Sequence, residues 1–492
     1  MKRLFMTLVL FLVLPTAMTV HAENDTPQEG QDQSIYYIMV DRFMNGTTEN
    51  DYETDLENPK AYHGGDIDGV IKQLDHIKEL GFTTIELSPI MKNEGDGFHG
   101  FWTEDYRSVE EHFGTMEEAR RLVEEAHARD MKVIFDMVIG YTSENHSWTE
   151  DVNKDEWYQS NVNQDERMRW TRGLPALDLE NSEVQQYFAE TVNFWVEETG
   201  VDGFRFHHGS KNPEDFLNQL DQQEDTQGLF LISEGPESIV DATVDQLFFN
   251  EVRSTFKTAG GSLEELHKNS NDKNLTISEK STIKELNNFK DVRFTHLAVK
   301  EGQNPITRLK LALTYLYTSP GIPVVYYGTE VPLDDGGNLE ENPMMNFKAN
   351  DEQLKQRIEK LNSMRKEFPA MTKGNFEEVY NQDGMAVFKR THEDQTMLVA
   401  INNAEETKTA SLKGLEQDQQ LRGLLHDGLV RQHEDGSYRI GMERETADVF
   451  VVEEDQGYNW LFIGFVGGVL GLFIIAVTIL SLKSRKAASE EG

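Results

Sequence analysis

The sequence has no cysteine among its 492 residues, so neither a disulfide framework nor thiolate chemistry is available to it. Positive charge is also scarce, because 47 Lys and Arg stand against 87 Asp and Glu and give a formal net charge of −40. Such a charge repels nucleic-acid phosphates and anionic lipid headgroups, which argues against nucleic acid as a partner. The acidity suits a surface kept soluble in salty or alkaline surroundings, and equally an acidic surface without a specific partner.

The remaining composition suits a folded, exported protein. Hydrophobic residues make up 38% and aromatic residues 10% of the chain, which is enough to build a core. Two basic residues open the sequence, an apolar run from Leu4 to Leu14 follows, and Val20-His21-Ala22 matches a small-residue cleavage site. These features predict a signal peptide over residues 1–22 and a polar leader over residues 23–33.

A second long apolar run lies at the other end of the chain. From Trp460 to Leu482 the sequence is uncharged and long enough to cross a bilayer, and basic residues follow it directly. We therefore predict a linker over residues 454–458, a transmembrane helix over 459–482 and a cytoplasmic tail over 483–492. This interpretation makes the chain a single-pass cell-membrane protein with its body outside. The alternative is a C-terminal helix buried in a core.

Between these ends, short β-branched or aromatic runs alternate with stretches of helical periodicity, which is typical of repeated β-then-α units. The pattern predicts an α/β fold, a (β/α)8 TIM barrel over residues 34–370 with a short insertion at 141–175 after the third strand. From residue 371 to 453, alternating strands with Asp-Gly turns predict a β-sandwich. The predicted barrel strands are Ile35–Val40, Thr83–Leu87, Lys132–Val138, Gly203–His207, Leu229–Ser233, Gln246–Phe249, Val292–His296 and Pro323–Tyr327.

Six segments resemble, in order and spacing, the α-amylase family of glycoside hydrolases, family 13. They are SIYYIMVDRFMNG, YHGGDIDGVIKQLDHIKELGFTTIELSPI, FHGFWTEDYRSVEEHFGT, MKVIFDMV, GVDGFRF and TSPGIPVVYYGTE. The resemblance runs from about Ser34 to Glu453. It implies a catalytic (β/α)8 barrel, a small insertion after strand three and a C-terminal β-sandwich, with the active site at the carboxyl ends of the strands.

The resemblance also implies a retaining mechanism with a nucleophilic Asp after strand four, an acid/base Glu after strand five and a transition-state Asp after strand seven. Gly203-Phe204-Arg205-Phe206 matches the strand-four motif, but His207 follows where the family has the Asp. Glu234 stands at the acid/base position. When Phe294 is taken as the start of the strand-seven motif Phe-x-x-Asn-His-Asp, Ala298 and Val299 replace the His and the Asp. We therefore expect a site that lacks two of its acids.

Some other positions of the implied site match the family's motifs and some do not. Gly140 and Tyr141 stand where the family's strand-three motif has Asn and His, and Ala176 stands where many relatives have a calcium-ligating Asp. Asp136 and Arg205 are retained, and a guanidinium beside Asp136 would also brace the barrel. The candidate sugar contacts are His99, Arg205, Trp102, Tyr62 and Tyr141, with Phe101 beside them. The aromatic members could equally be packing residues.

Two metal sites deserve consideration. A calcium site near the first loop in some relatives resembles the set Asn45, Asn50, Asp51, Asp66 and the carbonyl of Gly64. Oxygen ligands of this kind suit calcium, although a solvated acidic loop has the same composition. A zinc set at the barrel mouth would combine His99, His207, Glu234 and His296, if strands four, five and seven end where predicted. The alternative is that these histidines fill space left by lost acids.

Two functions remain open. The first is a noncatalytic, α-amylase-like cell-surface protein of carbohydrate metabolism that binds an α-glucan or a membrane partner. The second is a residual or altered α-glycoside hydrolase that uses Glu234 as its acid/base. Loss of a nucleophile that works as part of a cooperative unit lowers turnover by about 10⁴ to 10⁶, so we expect no ordinary hydrolysis.

Overall fold

The structure is a computed structural model. It describes residues 30–490, except 160–168, 172, 210–212, 222–225, 236–239, 265, 267–280, 339–341, 350, 417, 456 and 458–459. The predicted signal peptide and most of the polar leader lie outside the described residues. For residues 482–490 the structure describes the backbone of a helix.

Parallel strands in the first part of the chain close into an eight-stranded barrel, as the alternating pattern predicts. The strands up to residue 326 are β1 (Ile35–Ile38), β2 (Thr84–Leu87), β3 (Met91–Asn93), β4 (Thr103–Val109), β5 (Lys132–Val138), β6 (Gly203–His207), β7 (Phe230–Ser233), β8 (Ala242–Val244), β9 (Ser281–Glu285) and β10 (Ile322–Tyr326). Neighbours around the barrel follow the order β1, β10, β9, β8, β7, β6, β5 and β2, and β3 pairs with β4 outside it.

Two predicted barrel strands are wrong. Gln246–Phe249 belongs to a helix, which begins at Gln246 after its cap residue Asp245, and the sixth barrel strand is the shorter β8 before it. Val292–His296 is not the seventh strand either, because Phe294 opens another helix and β9 supplies the strand. Both errors took the apolar face of an amphipathic helix for a short buried strand, two patterns that periodicity alone separates poorly.

The helices around the barrel have local start signals in the sequence. Asp66 caps the first helix through the amide of Gly69, and Thr115 with Glu118 forms a capping box at the second. The helices are α1 (Ile67–Glu79), α2 (Met116–His127), α3 (Ser182–Thr199), α4 (Glu214–Asp221), α5 (Gln246–Phe256), α6 (Phe294–Lys300), α7 (Pro305–Thr318), α8 (Glu352–Glu367), α9 (Pro369–Lys373) and α10 (Trp460–Glu490).

The C-terminal strands form two antiparallel sheets that pack face to face around one apolar cluster. The strands are β11 (Asn375–Gln382), β12 (Met385–His392), β13 (Gln395–Asn402), β14 (Lys408–Leu412), β15 (Gln419–Gly423), β16 (Leu429–Arg431), β17 (Tyr438–Met442) and β18 (Thr446–Glu454). The larger sheet has the order β11, β12, β13, β18, β15 and β16, and β14 pairs with β17. This arrangement agrees with the predicted β-sandwich.

Buried arginines tie the sandwich to the barrel helices. Arg308 of α7 is inaccessible to solvent and donates 2.7 Å hydrogen bonds to Asn403 Oδ1 and Glu445 Oε2. Arg390 of β12 donates to the carbonyl of Thr318 at the end of α7. A buried guanidinium that loses its partners is costly, so these contacts hold the two parts in one arrangement.

The last helix, α10, contains an apolar segment from Leu461 to Ser481 that is long enough to cross a membrane, and none of it is buried against the rest of the described chain. A buried core helix, the alternative interpretation of the sequence, does not fit this exposure.

We expect Arg308→Ala to lower the free energy of unfolding by about 3–5 kcal/mol, because Asn403 and Glu445 lose a buried charged partner. Arg120→Ala is the matched control, since Arg120 pairs with Glu198 on the surface, and we expect it to cost less than about 1 kcal/mol. Urea denaturation followed by near-UV circular dichroism measures both. Equal losses in the two variants would contradict the role of Arg308.

Candidate active site

Charged side chains gather where the barrel strands β5, β6, β7 and β9 end. Asp136 lies on β5 directly beside Arg205 of β6, and Val138 pairs in the same register with His207. Glu234 follows β7 by one residue. Because the carboxyl ends of parallel strands meet at one face of a barrel, these residues share the mouth that forms the active site in enzymes of this fold.

The imidazole of His207 lies between two carboxylates. Its Nε2 is 2.7 Å from Asp136 Oδ2 and its Nδ1 is 3.0 Å from Glu234 Oε1. Carboxylate oxygens accept hydrogen bonds, so both ring nitrogens must donate and the ring is an imidazolium. Burial lowers the pKa of His207, but Asp136 and Glu234 raise it more, and its net pKa is higher than usual. The ring is fully buried.

Glu234 has a second cationic partner, Lys290, whose Nζ bonds the same oxygen, Oε1, that faces His207. Burial raises the pKa of Glu234, but Lys290 and His207 lower it more, and the net pKa lies well below the usual range. Glu234 is therefore held as a carboxylate. A general acid has to be protonated before it can donate to a leaving group, so this environment opposes the acid role of Glu234.

Lys290 is the residue that our sequence prediction missed, and it corrects the strand-seven assignment. Val299 lies on α6 with 47% of its surface exposed, and Ala298 lies on the same helix, so neither ends a barrel strand. The strand that reaches the mouth is β9, and Leu286 to Lys290 follow it. With Asn288 as the Asn of the motif, Phe289 and Lys290 stand at its His and Asp positions. The contact between Lys290 and Glu234 supports this alignment.

Arg205 is anchored by two buried glutamates. Its Nη1 donates to Glu285 Oε1 at 2.7 Å and its Nη2 donates to Glu86 Oε2 at 3.1 Å. Asp136 lies directly beside Arg205, as expected, but its hydrogen bonds are made with His207 and with the hydroxyl of Tyr37. Arg205 is 3% exposed, so as described it serves the barrel's internal charge balance rather than a sugar.

Aromatic rings pack against the charged residues at the strand ends, which we call the charged floor of the mouth (Asp136, Arg205, His207, Glu234 and Lys290). Phe289 stacks on both Trp170 and Tyr37, with ring centroids 5.6 and 5.9 Å away and interplanar angles of 11° and 26°. Phe101 packs against Phe289 at 4.7 Å and against His207 at 5.0 Å. The place above His207 is therefore filled by side chains of the protein.

The other predicted sugar contacts also pack within the protein. His99 is buried and stacks on Trp170 at 4.3 Å, and the indole of Trp102 donates to the carbonyl of Trp170. Tyr62 stacks on His112 at 3.8 Å and is 2% exposed. Packing, the alternative raised for these aromatics, agrees with these contacts.

Gly140 and Tyr141, which follow β5, pack closely against their neighbours at this edge of the mouth. A Cβ on Gly140 would lie 2.5 Å from the carbonyl oxygen of His208, so no larger residue fits there without movement. Tyr141 is buried, forms a β-bridge with Ala176, and accepts a hydrogen bond from Tyr106 through its carbonyl. Tyr141 is thus part of the wall of the insertion rather than an open contact surface.

The structure brings together some of the predicted calcium ligands. The side chains of Asn45 and Asp51 are 2.7 Å apart beside Gly64, and the buried Oδ1 of Asn50 has no hydrogen-bond partner. The carboxylate oxygens of Asp66 instead accept hydrogen bonds from the amides of Gly46, Thr47 and Gly69, and Asp66 thereby caps α1. The structure therefore places Asn45 and Asp51 together beside Gly64 and assigns Asp66 to the helix cap.

The zinc set does not form as predicted, because His296 lies on α6 rather than at the end of a barrel strand. Its Nδ1 is 3.0 Å from Asp334 Oδ1, and its nearest group of ligand type consists of Asp334 and Asp335. His207 is occupied by its two carboxylates.

Comparisons with known proteins agree with this fold and these motifs. Residues 37–172 match the family model for the α-amylase catalytic domain, and residues 374–450 match that for the α-amylase C-terminal domain. The chain belongs to the α-amylase family of glycoside hydrolases.

Among solved structures, an Anoxybacillus α-amylase is 42% identical, with a TM-score of 0.81 and coverage of 87% of this chain and 99% of that chain. The α-amylase of Geobacillus thermoleovorans, solved with acarbose, is 37% identical over the same shares, with a TM-score of 0.80. The β/α-amylase of Paenibacillus polymyxa is 30% identical over 77% of this chain, and the match spans 34% of that longer protein.

We expect His207→Gln to destabilise the protein by about 3–5 kcal/mol at pH 6, because Asp136 loses the cation that it bonds and Glu234 loses one of its two cations. Folding raises the pKa of His207, so its ion pairs stabilise fully below the unfolded-state pKa of about 6.5. That stabilisation is lost as the pH rises through the folded-state pKa, and the difference between wild type and variant should shrink accordingly. Urea denaturation from pH 6 to pH 10 measures the change.

The matched control is His208→Gln. His208 is the adjacent residue, is equally buried, and bonds the hydroxyl of Ser233. A difference for His207→Gln that stays constant with pH, or an equal pH dependence for both variants, would contradict the imidazolium assignment.

Proposed function

We propose that this chain is a catalytically inactive member of the α-amylase family that acts at the cell surface by binding rather than by hydrolysis. The observation that carries the proposal is the double contact of Glu234 with His207 and Lys290. Covalent retaining chemistry needs one ionised and one protonated carboxyl group about 5 Å apart across the glycosidic bond. Here two cations occupy the positions of the other two acids.

The surviving acids do not substitute for the missing ones. Asp136 is fully buried behind His207, which lies between it and Glu234, and Glu285 is paired with Arg205. An imidazole that donates from both nitrogens has no lone pair for attack on an anomeric carbon. These contacts disfavour the alternative of a residual hydrolase that uses Glu234.

The filled mouth bears on what the protein binds. Phe289, Phe101 and Trp170 occupy the space above His207, so an α-glucan or oligosaccharide would contact the outer surface rather than the charged floor. A membrane-protein partner is the second candidate for that surface. Relatives named as α-amylases and cyclomaltodextrinases support a role in carbohydrate metabolism. The net charge of −40 supports excluding nucleic acid.

We also propose that the protein is exported and anchored by its C-terminal helix, with the barrel outside and the basic tail in the cytoplasm. The unburied apolar segment Leu461–Ser481 and the basic residues after it support this orientation. A calcium ion held by the oxygens of Asn45, Asn50, Asp51 and Gly64 would cross-link the first loop and raise the protein's stability.

We expect purified protein to release no glucose or maltose from starch or maltoheptaose above a no-protein blank, a turnover about 10⁴ to 10⁶ below that of an intact enzyme. Reducing-sugar and nitrophenyl α-glucoside assays check this. Glu234→Gln is the control for contaminating activity, since any trace from another enzyme persists in it. Turnover in the wild type that disappears in Glu234→Gln would overturn the proposal.

We expect the full chain to sediment with membranes and to resist extraction at high salt, because an apolar helix inserts into lipid. A version that ends at Glu454 should be recovered in the soluble extracellular fraction. External protease should digest the barrel and spare an epitope placed after Gly492. Recovery of the full chain in the soluble fraction would contradict the anchor.

A further inference from the structure

The segment between β9 and α6, residues 286–293, is held by hydrogen bonds at both ends, and its centre lies in the barrel mouth. Arg253 donates to the carbonyls of Leu286 and Val292, one near each end. Asn287 also fastens the segment, because its amide donates to Thr329 Oγ1 and its Oδ1 accepts from the amide of Phe294. We call residues 286–293 the mouth loop.

The tip of the mouth loop reaches the site through two neighbouring side chains. Lys290 bonds Glu234, and the ring of Phe289 enters the aromatic cluster, where it is 5% exposed. Asn288 folds the tip locally, since its Oδ1 accepts from the amides of Lys290 and Asp291. The turn is thus built independently of the Phe289 ring.

The surroundings of Phe289 have the chemistry of a sugar subsite. Trp170 and Tyr37 both stack on the ring, at interplanar angles of 11° and 26°. Beyond the ring edge lie the imidazolium of His207 and, through Lys290, the carboxylate of Glu234. Aromatic faces suit the apolar C–H faces of a pyranose, and charged groups around the edge suit its hydroxyls.

We propose that Phe289 is an internal plug that occupies a hexose-sized subsite, and that the walls of this subsite still bind an α-glucose unit when the plug is removed. This inference rests on the proposed noncatalytic function, because the plug explains why a member of this family has a closed mouth. The plug excludes sugar sterically, whereas Lys290 and His207 remove the catalysis electrostatically. The two effects are separable by mutation.

The test is Phe289→Ala in the full chain, reconstituted in lipid nanodiscs and titrated with maltotriose by saturation-transfer-difference NMR. We expect the variant to bind maltotriose at least about tenfold more tightly than the wild type, whose weaker saturation transfer would report contact with the outer surface alone. The melting temperature should fall, because a buried ring has been removed. Phe289→Val empties less of the space and gives a folded variant for the same titration.

Phe204→Ala is the matched control. Phe204 is a fully buried phenylalanine of β6 that packs against Phe206, so its removal creates a comparable cavity without opening the mouth. Folded Phe289 variants that bind no maltotriose, or that bind benzene but no sugar, would overturn the proposal. Equal sugar binding by Phe204→Ala would also overturn it. Hydrolysis by the wild type would instead contradict the proposed function, and the two failures are thereby distinguished.

Discussion

The charge balance at the centre of the barrel depends on one imidazolium placed between two carboxylates. Asp136 on β5 and Glu234 after β7 lie on the two strands that flank β6. Buried carboxylates without a cation between them would repel or take up protons. His207 supplies that cation at 2.7 and 3.0 Å. The resemblance places the family's nucleophilic Asp at this position, so under the proposed function the residue that stabilises this part of the barrel is also the one that excludes the covalent chemistry.

Lys290 adds a second cation beside Glu234, the residue at the family's acid/base position. If Glu234 faced only His207, its pKa would depend on one cationic neighbour. With Lys290 on the same oxygen, Glu234 has two cationic partners and a pKa well below the usual range. The two cations thus hold Glu234 in its charged form.

Much of the fold was predictable because its signals are local. Strands β5 and β6 begin and end as predicted, since their β-branched and aromatic runs are bounded clearly, and the α2 boundary follows from Thr115 and Glu118. The sixth and seventh strands were missed because α5 and α6 carry short apolar runs that also suit a strand. That error displaced the strand-seven motif and hid Lys290. The sequence Asn288-Phe289-Lys290 was the available signal, but its motif retains only the Asn.

Contacts between distant elements were the part that the sequence could not provide. Phe289 stacks on both Trp170 and Tyr37 only because the mouth loop, the insertion and the first strand meet at one place. The use of Asp66 as a helix cap rather than as a metal ligand likewise depends on the backbone amides of Gly46 and Thr47. Residue types predict which chemistry is available, whereas packing decides which partner each residue takes.

The position of β18 in the C-terminal sheet has a consequence for biosynthesis. This strand, Thr446–Glu454, is the last one in the chain, yet it pairs with β13 on one side and β15 on the other. A chain is synthesised from the N-terminus onward, so the sheet stays divided until the residues up to Glu454 have been made. Arg308 also lacks its partner Glu445, which directly precedes this strand, until the same stage. Completion of the sandwich and its docking to the barrel would therefore coincide with synthesis of the apolar helix that follows.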